Sequence, residues 1–266
     1  MSDEDDLRRA ERLATSLIAR GKGIVDRDMR AAWLRSMLRT APLPEVARAL
    51  DRVSASAEQA TPSARDLLFT VVDVLLDPES EPFLVALREE AAGRSLLALG
   101  RLLRRPLDPS PAAVLDDRVP DYGTGRPLTL GERKALARRP SRASFDKLLR
   151  DPDPIVIRTL LRNPKLTEDD VIALACRRPA RTEVLREIAR IPKWTSRPRV
   201  RMSIVLNPGA PAEIAVPLVS LLLRHELRLV VEVTDASPAV RAASRELLLR
   251  RPPSLGEDGE PPDEPS

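Results

Sequence analysis

Residues 127–142 read PLTLGERKALARRPSR, and residues 165–181 read KLTEDDVIALACRRPAR. The two segments share a Leu-Thr start, an Ala-Leu-Ala centre and an Arg-Arg-Pro end. Residues 155–164, IVIRTLLRNP, return 44 positions later as RVRMSIVLNP over 199–208. A third echo, PAVRAASRELL, starts at Pro238. Self-similarity at such a period marks an array of small helical units, none of which can bury its apolar face alone. The expectation is an all-α protein. About three repeat units over 127–251 would form a short α-solenoid, and a helical bundle would precede them.

Each unit reads as up to three short helices. In the second unit Thr167 is placed to cap a helix, with Glu168, Asp169 and Asp170 in its first turn, where their charges suit the exposed amides and the positive helix end. This also explains the acidic cluster without a metal. Val171, Leu174 and Ala175 share one face. Arg177-Arg178-Pro179 ends the helix, because a residue before proline resists helical geometry. Thr182–Arg190 is the next helix, with Val184, Leu185 and Ile188 inward. Val200, Ile204 and Val205 belong to a third, stopped by Asn207-Pro208. The first unit repeats this, with Thr129 and Glu132 as a capping box, Phe145, Leu148 and Leu149 on the second helix, and Val156 and Leu160 on a third that opens at Asp153-Pro154. In the third unit Leu218, Leu221 and Leu222 line one helix. Leu227, Val230 and Val231 line the next, and Val240, Ala243 and Leu247 the last.

Upstream, residues 1–6 are acidic and expected to be disordered, and a helical domain is expected over 7–105. Its first helix is expected to break at Gly21-Lys22-Gly23. A second is expected from Val25 to Arg39 with Trp33 in the core, a third opens at Leu43-Pro44, and a fourth follows Thr61-Pro62. A fifth, from Glu81-Pro82, is interrupted near Gly93. Residues 106–126 are proline-rich and read as a linker that holds the only tyrosine, Tyr122, which could dock on a neighbour. Residues 252–266 read as a disordered acidic tail.

The formal charge of +4 hides an asymmetry. With the nine acids of the two ends set aside, residues 7–251 hold 44 bases against 31 acids. A basic array favours anionic partners, although arginine alongside abundant Ala, Leu and Pro is also what GC-rich coding produces. The start MSDEDDLRRA does not resemble a secretory signal. No apolar run approaches the roughly 20 residues needed to span a bilayer. A cytoplasmic protein with no membrane contact is expected.

Catalytic patterns are sparse. Cys176 is the only cysteine and reads as a small buried hydrophobe. His225 is the only histidine, so a two-histidine metal site is impossible within one chain and a Ser-His-Asp site would depend on it alone. The GKG at Gly21 lacks the strand before it and the Ser or Thr after it that a phosphate loop needs. Asp151 and Asp153 read as a helix start. No cofactor is expected.

The stretch DPDPIVIRTLLRNPKLTEDDVIALA, 151–175, resembles the leucine-rich-repeat-variant pattern, in which a D-P-x-x-V-R turn and an N-P turn separate short helices. SPAVRAASRELL, 237–248, is similar to the P-x-V-R-x-x-A-x-x-x-L core of HEAT repeats. Ile157 stands between Val156 and Arg158, a departure from the spacing kept by Val200-Arg201 and Val240-Arg241. The resemblance implies an α-helical repeat fold. It implies no redox role, because the iron–sulfur segment beside some of these arrays needs a cysteine cluster. Some HEAT-like proteins are DNA glycosylases with an aspartate, tryptophans and a basic concave face, and in that light Trp194 would face a nucleic acid, whereas by itself it reads first as a core residue.

The functional expectation is a non-catalytic scaffold or adaptor that binds another protein, one with an acidic surface, through a basic face. The candidate surface is Arg138, Arg139, Arg142, Arg177, Arg178, Arg181 and Trp194, in which the arginines recur in register after the first helix of a unit. Nucleic acid on the same face is the alternative.

Overall fold

A computed structural model describes residues 3–105, 118–233 and 235–253, without the side chains of Asp3, Pro78 and Arg142. Among the described residues the protein is all-helical, with no strand. The chain divides into two compact units. One contains 1–104, 219–234 and 238–266, and the other 105–218 and 235–237. The expected third repeat unit is therefore shared: residues 224–233 and 238–250 fall with the N-terminal helices.

The first unit holds α1 (Asp3–Gly23), α2 (Arg27–Thr40), α3 (Leu43–Glu58), α4 (Pro62–Leu75), a 3₁₀ turn at Pro78–Ser80, α5 (Glu81–Gly93) and α6 (Leu97–Leu102). The central element is α3, which packs against α1, α4, α5 and α6. Its sequence explains why: Val46, Ala47, Ala49, Leu50, Val53 and Ala57 are all buried, and the alanines let neighbours approach on several sides. Three expectations need correcting. Residues 3–6 form the first turn of α1, where Glu4, Asp5 and Asp6 suit the positive helix end. The Gly-Lys-Gly does not break α1, which runs through Gly23. Gly21 instead admits α4, since a Cβ there would stand 2.9 Å from Leu67 Cδ1. Trp33 is half-buried, not fully buried.

The second unit holds α7 (Leu130–Arg138), α8 (Arg142–Leu149), α9 (Pro154–Leu161), α10 (Glu168–Ala175), α11 (Thr182–Ala189), α12 (Pro192–Thr195), α13 (Pro198–Val205) and α14 (Ala212–Val219), the last residue of which belongs to the first unit. The remaining helices, α15 (Arg224–Glu232) and α16 (Pro238–Arg250), pack on each other in the first unit. Within the second, α7 packs on α9, α9 on α11, and α10 on α13. Most inward residues are those the periodicity indicated: Val156, Leu160, Val171, Val184, Leu185, Ile188, Val200 and Ile204 are all buried, while Phe145 is only half-buried. Both capping boxes are formed, Thr129 with Glu132 and Thr167 with Asp170.

The Asn-Pro turns perform a task that the sequence did not announce. The Asn163 amide donates to the carbonyls of Ala137 and Arg138, at 3.1 and 3.0 Å, and closes the C-terminal end of α7. Asn207 does the same for Ala175 and Arg177 at the end of α10, at 2.7 and 3.1 Å. A helix leaves its last carbonyls unpaired, and here the next Asn-Pro turn satisfies them.

Asp151 and Asp153 separate in role. Asp153 is the N-cap of α9, accepting from the Ile155 amide at 2.8 Å. Asp151 is buried. It accepts from Arg133 and, at 2.7 Å, from the Tyr122 hydroxyl. Burial, then the bond to Asp151, push the Tyr122 phenol up from its ordinary range. Tyr122 thus docks on its neighbour as expected. Residues 106–117 of the expected linker and 254–266 of the expected tail lie outside the described residues.

Hydrogen bonds from Arg126, then from Thr129, hold the Glu132 carboxyl at about 2. Its folded-state value is depressed, so its capping contribution is fully present above the ordinary carboxylate range and is lost as pH falls through about 2. A side-chain NMR titration is expected to give Glu132 a midpoint well below the ordinary carboxylate range. A midpoint in the ordinary range would mean that the capping box does not hold in solution.

Candidate functional site

The most distinctive surface in the second unit lies where the end of α7 meets α9. Asn163 pins the carbonyl of Arg138, so the backbone from which that side chain leaves is fixed. On α9, Val156, Ile157, Leu160 and Leu161 occupy the buried face. Arg158 and Arg162, four residues apart, therefore share the outer one. Together with Arg138, Thr159, Asn163 and Pro164 they line an open cleft of about 310 Å³.

The charges in this cleft are not balanced. Arg158 is held by Glu187 through two hydrogen bonds, 2.6 and 2.7 Å, and Glu187 also accepts from Arg190 at 2.8 Å. Arg138 and Arg162 are exposed, and among the described residues neither guanidinium pairs with a carboxylate. The other polar groups are occupied. The Thr159 hydroxyl donates to the Ile155 carbonyl, 2.8 Å away, and the Asn163 amide is spent on the end of α7. The free donors are guanidinium groups, which stay charged at any physiological pH and accept no proton in exchange. Such a cleft can hold an anion. It has no group able to shuttle a proton.

The other predicted arginines do different things. Arg139 is exposed. The side chain of Arg142 lies outside the described residues. Arg177 is half-buried and donates to the Leu149 carbonyl at 2.5 Å, closing the end of α8. Burial, then the positive charges of Arg150 and Arg181, push the Arg177 guanidinium down from its ordinary range. Arg178 is exposed and pairs with Asp235 at 2.9 Å. Arginines in sequence register therefore do not share a role.

Trp194 is only 1% exposed, in line with its reading as core, and its place in the candidate surface is corrected. Its indole N–H donates to the Leu161 carbonyl at 3.0 Å, and Lys193 and Arg197 stand over its ring. Buried indoles take such a partner, and this one cannot stack on an incoming base. Cys176 is a second correction: expected to be buried, it is exposed at the C-cap of α10. His225 is exposed. Among the described residues no group of three or more His, Cys, Asp or Glu side chains gathers to hold a metal ion. Among the same residues no helix is long and apolar enough to cross a membrane.

Sequence reasoning missed Arg158 and Arg162. The signal was there, two arginines at helical i,i+4 spacing directly before an Asn-Pro turn. The recurrence of the other arginines drew attention away from it. Comparison with protein-family models, with curated proteins and with solved structures finds no match.

Proposed function

We propose that this is a non-catalytic α-helical repeat protein of the HEAT-like or leucine-rich-repeat-variant kind. On this reading it serves in the cytoplasm as a scaffold or adaptor, and binds an acidic surface of another protein through the basic face around Arg138 and Arg162. One observation carries the reading: two exposed guanidiniums line the same cleft with no carboxylate partner among the described residues. The repeat assignment is supported by the recurring capping boxes and by the matched roles of Asn163 and Asn207. Nucleic acid on the same face loses its aromatic support with Trp194 buried.

The test uses charge reversal. Arg138→Glu with Arg162→Glu is the right pair, because neither residue holds the fold. Reversing Arg177 would also remove its bond to the Leu149 carbonyl. Affinity capture from cell extract, with and without nuclease, is expected to retain a protein partner in both arms and to lose it with the double variant at unchanged melting temperature. Salt provides the second readout. A protein partner gripped by a few charges responds moderately, whereas DNA binding falls with a log–log slope of about −0.9 per phosphate contacted. Nuclease-sensitive capture with that steep slope would promote the nucleic-acid reading, and capture indifferent to both arginines would remove the face itself.

A further inference from the structure

We propose that the cleft of Arg138, Arg158 and Arg162 is a phosphate subsite, which takes the dianionic phosphate of a phosphorylated serine or threonine on the partner protein. The inference rests on the reading of this face as a protein-binding surface and adds the chemistry that it recognises.

The first argument is charge. Arg158 shares the Glu187 carboxylate with Arg190 and is only partly offset, and Arg138 and Arg162 add two guanidinium charges with no carboxylate partner among the described residues. A carboxylate offers one negative charge and leaves the other guanidinium uncompensated. A phosphorylated side chain carries about −1.5 to −2 at neutral pH and three strong acceptor oxygens. It matches both the charge and the number of converging donors. Planar guanidinium forks suit phosphate oxygens, and bidentate charge-assisted bonds of this type are the strong ones.

The second argument is that the fold does not need Arg158 or Arg162. The segment 155–164 aligns with 199–208, which pairs Arg158 with Met202 and Arg162 with Leu206. By the shared Arg-Arg-Pro, Arg138 corresponds to Arg177, which is turned to the Leu149 carbonyl. The capping asparagines keep their bonds in both copies. The second copy thus builds the same local structure with no cation at the positions of Arg158 and Arg162. These two arginines are an addition to the repeat.

The third argument separates a phosphorylated side chain from a nucleic-acid backbone. A backbone presents phosphates in a line, and single-strand binders combine a basic track with aromatic platforms. Here the unpaired charge converges on one cleft. Among the neighbouring cations, Arg177 is committed to a carbonyl and Arg178 to Asp235. Trp194 is buried.

The experiment titrates the full-length protein with N-acetyl-phosphoserine-N-methylamide at fixed ionic strength and follows the arginine Nε–H resonances by NMR. Parallel arms use the matching aspartate diamide and a short mixed-sequence single-stranded DNA. The phosphoserine probe is expected to bind roughly tenfold or more tightly than the aspartate probe, and to weaken several-fold between about pH 7.5 and about pH 5, as the phosphate takes up its second proton near 6. Arg138→Gln with Arg162→Gln is expected to remove roughly tenfold or more of that affinity, with melting unchanged, while Arg139→Gln leaves it intact. Equal binding of the two diamides, no binding, or binding indifferent to the Arg138/Arg162 pair overturns the phosphate assignment. DNA bound more tightly than phosphoserine, and lost with the same pair, assigns the cleft to a nucleic-acid backbone instead. The underlying reading is scored separately. If partner capture still depends on Arg138 and Arg162 when phosphoserine fails, only the phosphate assignment falls; if capture is indifferent to them, the binding face falls with it.

Discussion

Asp151→Ala is expected to lower the melting temperature of the second unit by on the order of 10 °C or more. The reason is the charge it would strand. Asp151 is 1% exposed and accepts from Arg133, from the Tyr122 hydroxyl and from the Asp153 amide. Arg133 is itself 7% exposed, and its Nε already lacks a partner. Removing the carboxylate leaves a buried guanidinium with no counter-charge, and breaking a buried pair on one side costs about 3–5 kcal/mol. For a unit of this size each kcal/mol shifts melting by several degrees. Tyr122→Phe removes one hydrogen bond and keeps the ion pair, so its cost is about 1 kcal/mol.

The repeat supplies the control. In the second copy Val171 stands for Arg133 and Thr195 for Asp151, and both are buried. The paired variant Arg133→Val with Asp151→Thr imports the arrangement that the second copy already uses. A buried ion pair can often be replaced by well-packed uncharged residues without loss. The double variant is therefore expected to melt well above Asp151→Ala. Melting of Asp151→Ala within a degree or two of the parent protein would show that the Tyr122–Asp151–Arg133 network does not hold the second unit together.

This network also shows where sequence reading stops. Local geometry was legible, because caps and periodicities are short-range: Thr129, Thr167 and Asp153 sit at helix starts, and the inward valines and leucines follow from spacing alone. Which Asp of the Asp-Pro-Asp-Pro turn caps and which is buried depends on the packing of α7 on α9. Arg133 lies 18 residues from Asp151 and Tyr122 lies 29 from it, and no spacing rule joins them. The candidate site failed in the same way. Register predicted equivalent arginines, but the fate of an arginine depends on what lies within its long reach. Arg177 reaches the end of α8, Arg178 meets Asp235, and Arg138 lines a cleft with Arg158 and Arg162. Trp194 reads as core, and its alternative reading as a surface residue comes from the bases that flank it in sequence. Those bases cover its ring and do not expose it.

Val200→Asp is expected to cost several kcal/mol and to abolish cooperative melting of the second unit. Val200 is 0% exposed on α13, which packs on α10. A carboxylate there has no counter-charge placed to meet it. Arg201 is next in sequence, but adjacent helical residues do not face each other, and its guanidinium is bonded to the Thr195 and Ser196 carbonyls. An unpaired buried charge belongs to the short list of changes able to unfold a domain outright. Val240 holds the matching place in the third echo and is 1% exposed, but it lies in the first unit. The two substitutions should therefore open different parts of the chain. Hydrogen exchange is expected to show loss of protection across α7–α13 for Val200→Asp. For Val240→Asp the loss should centre on α15 and α16. Circular dichroism melts of both variants report the global cost. An unchanged melt for Val200→Asp would mean that this valine is not core, and that the register aligning 155–164 with 199–208 is wrong. Loss of protection over the same residues in both variants would mean that the two units unfold as one.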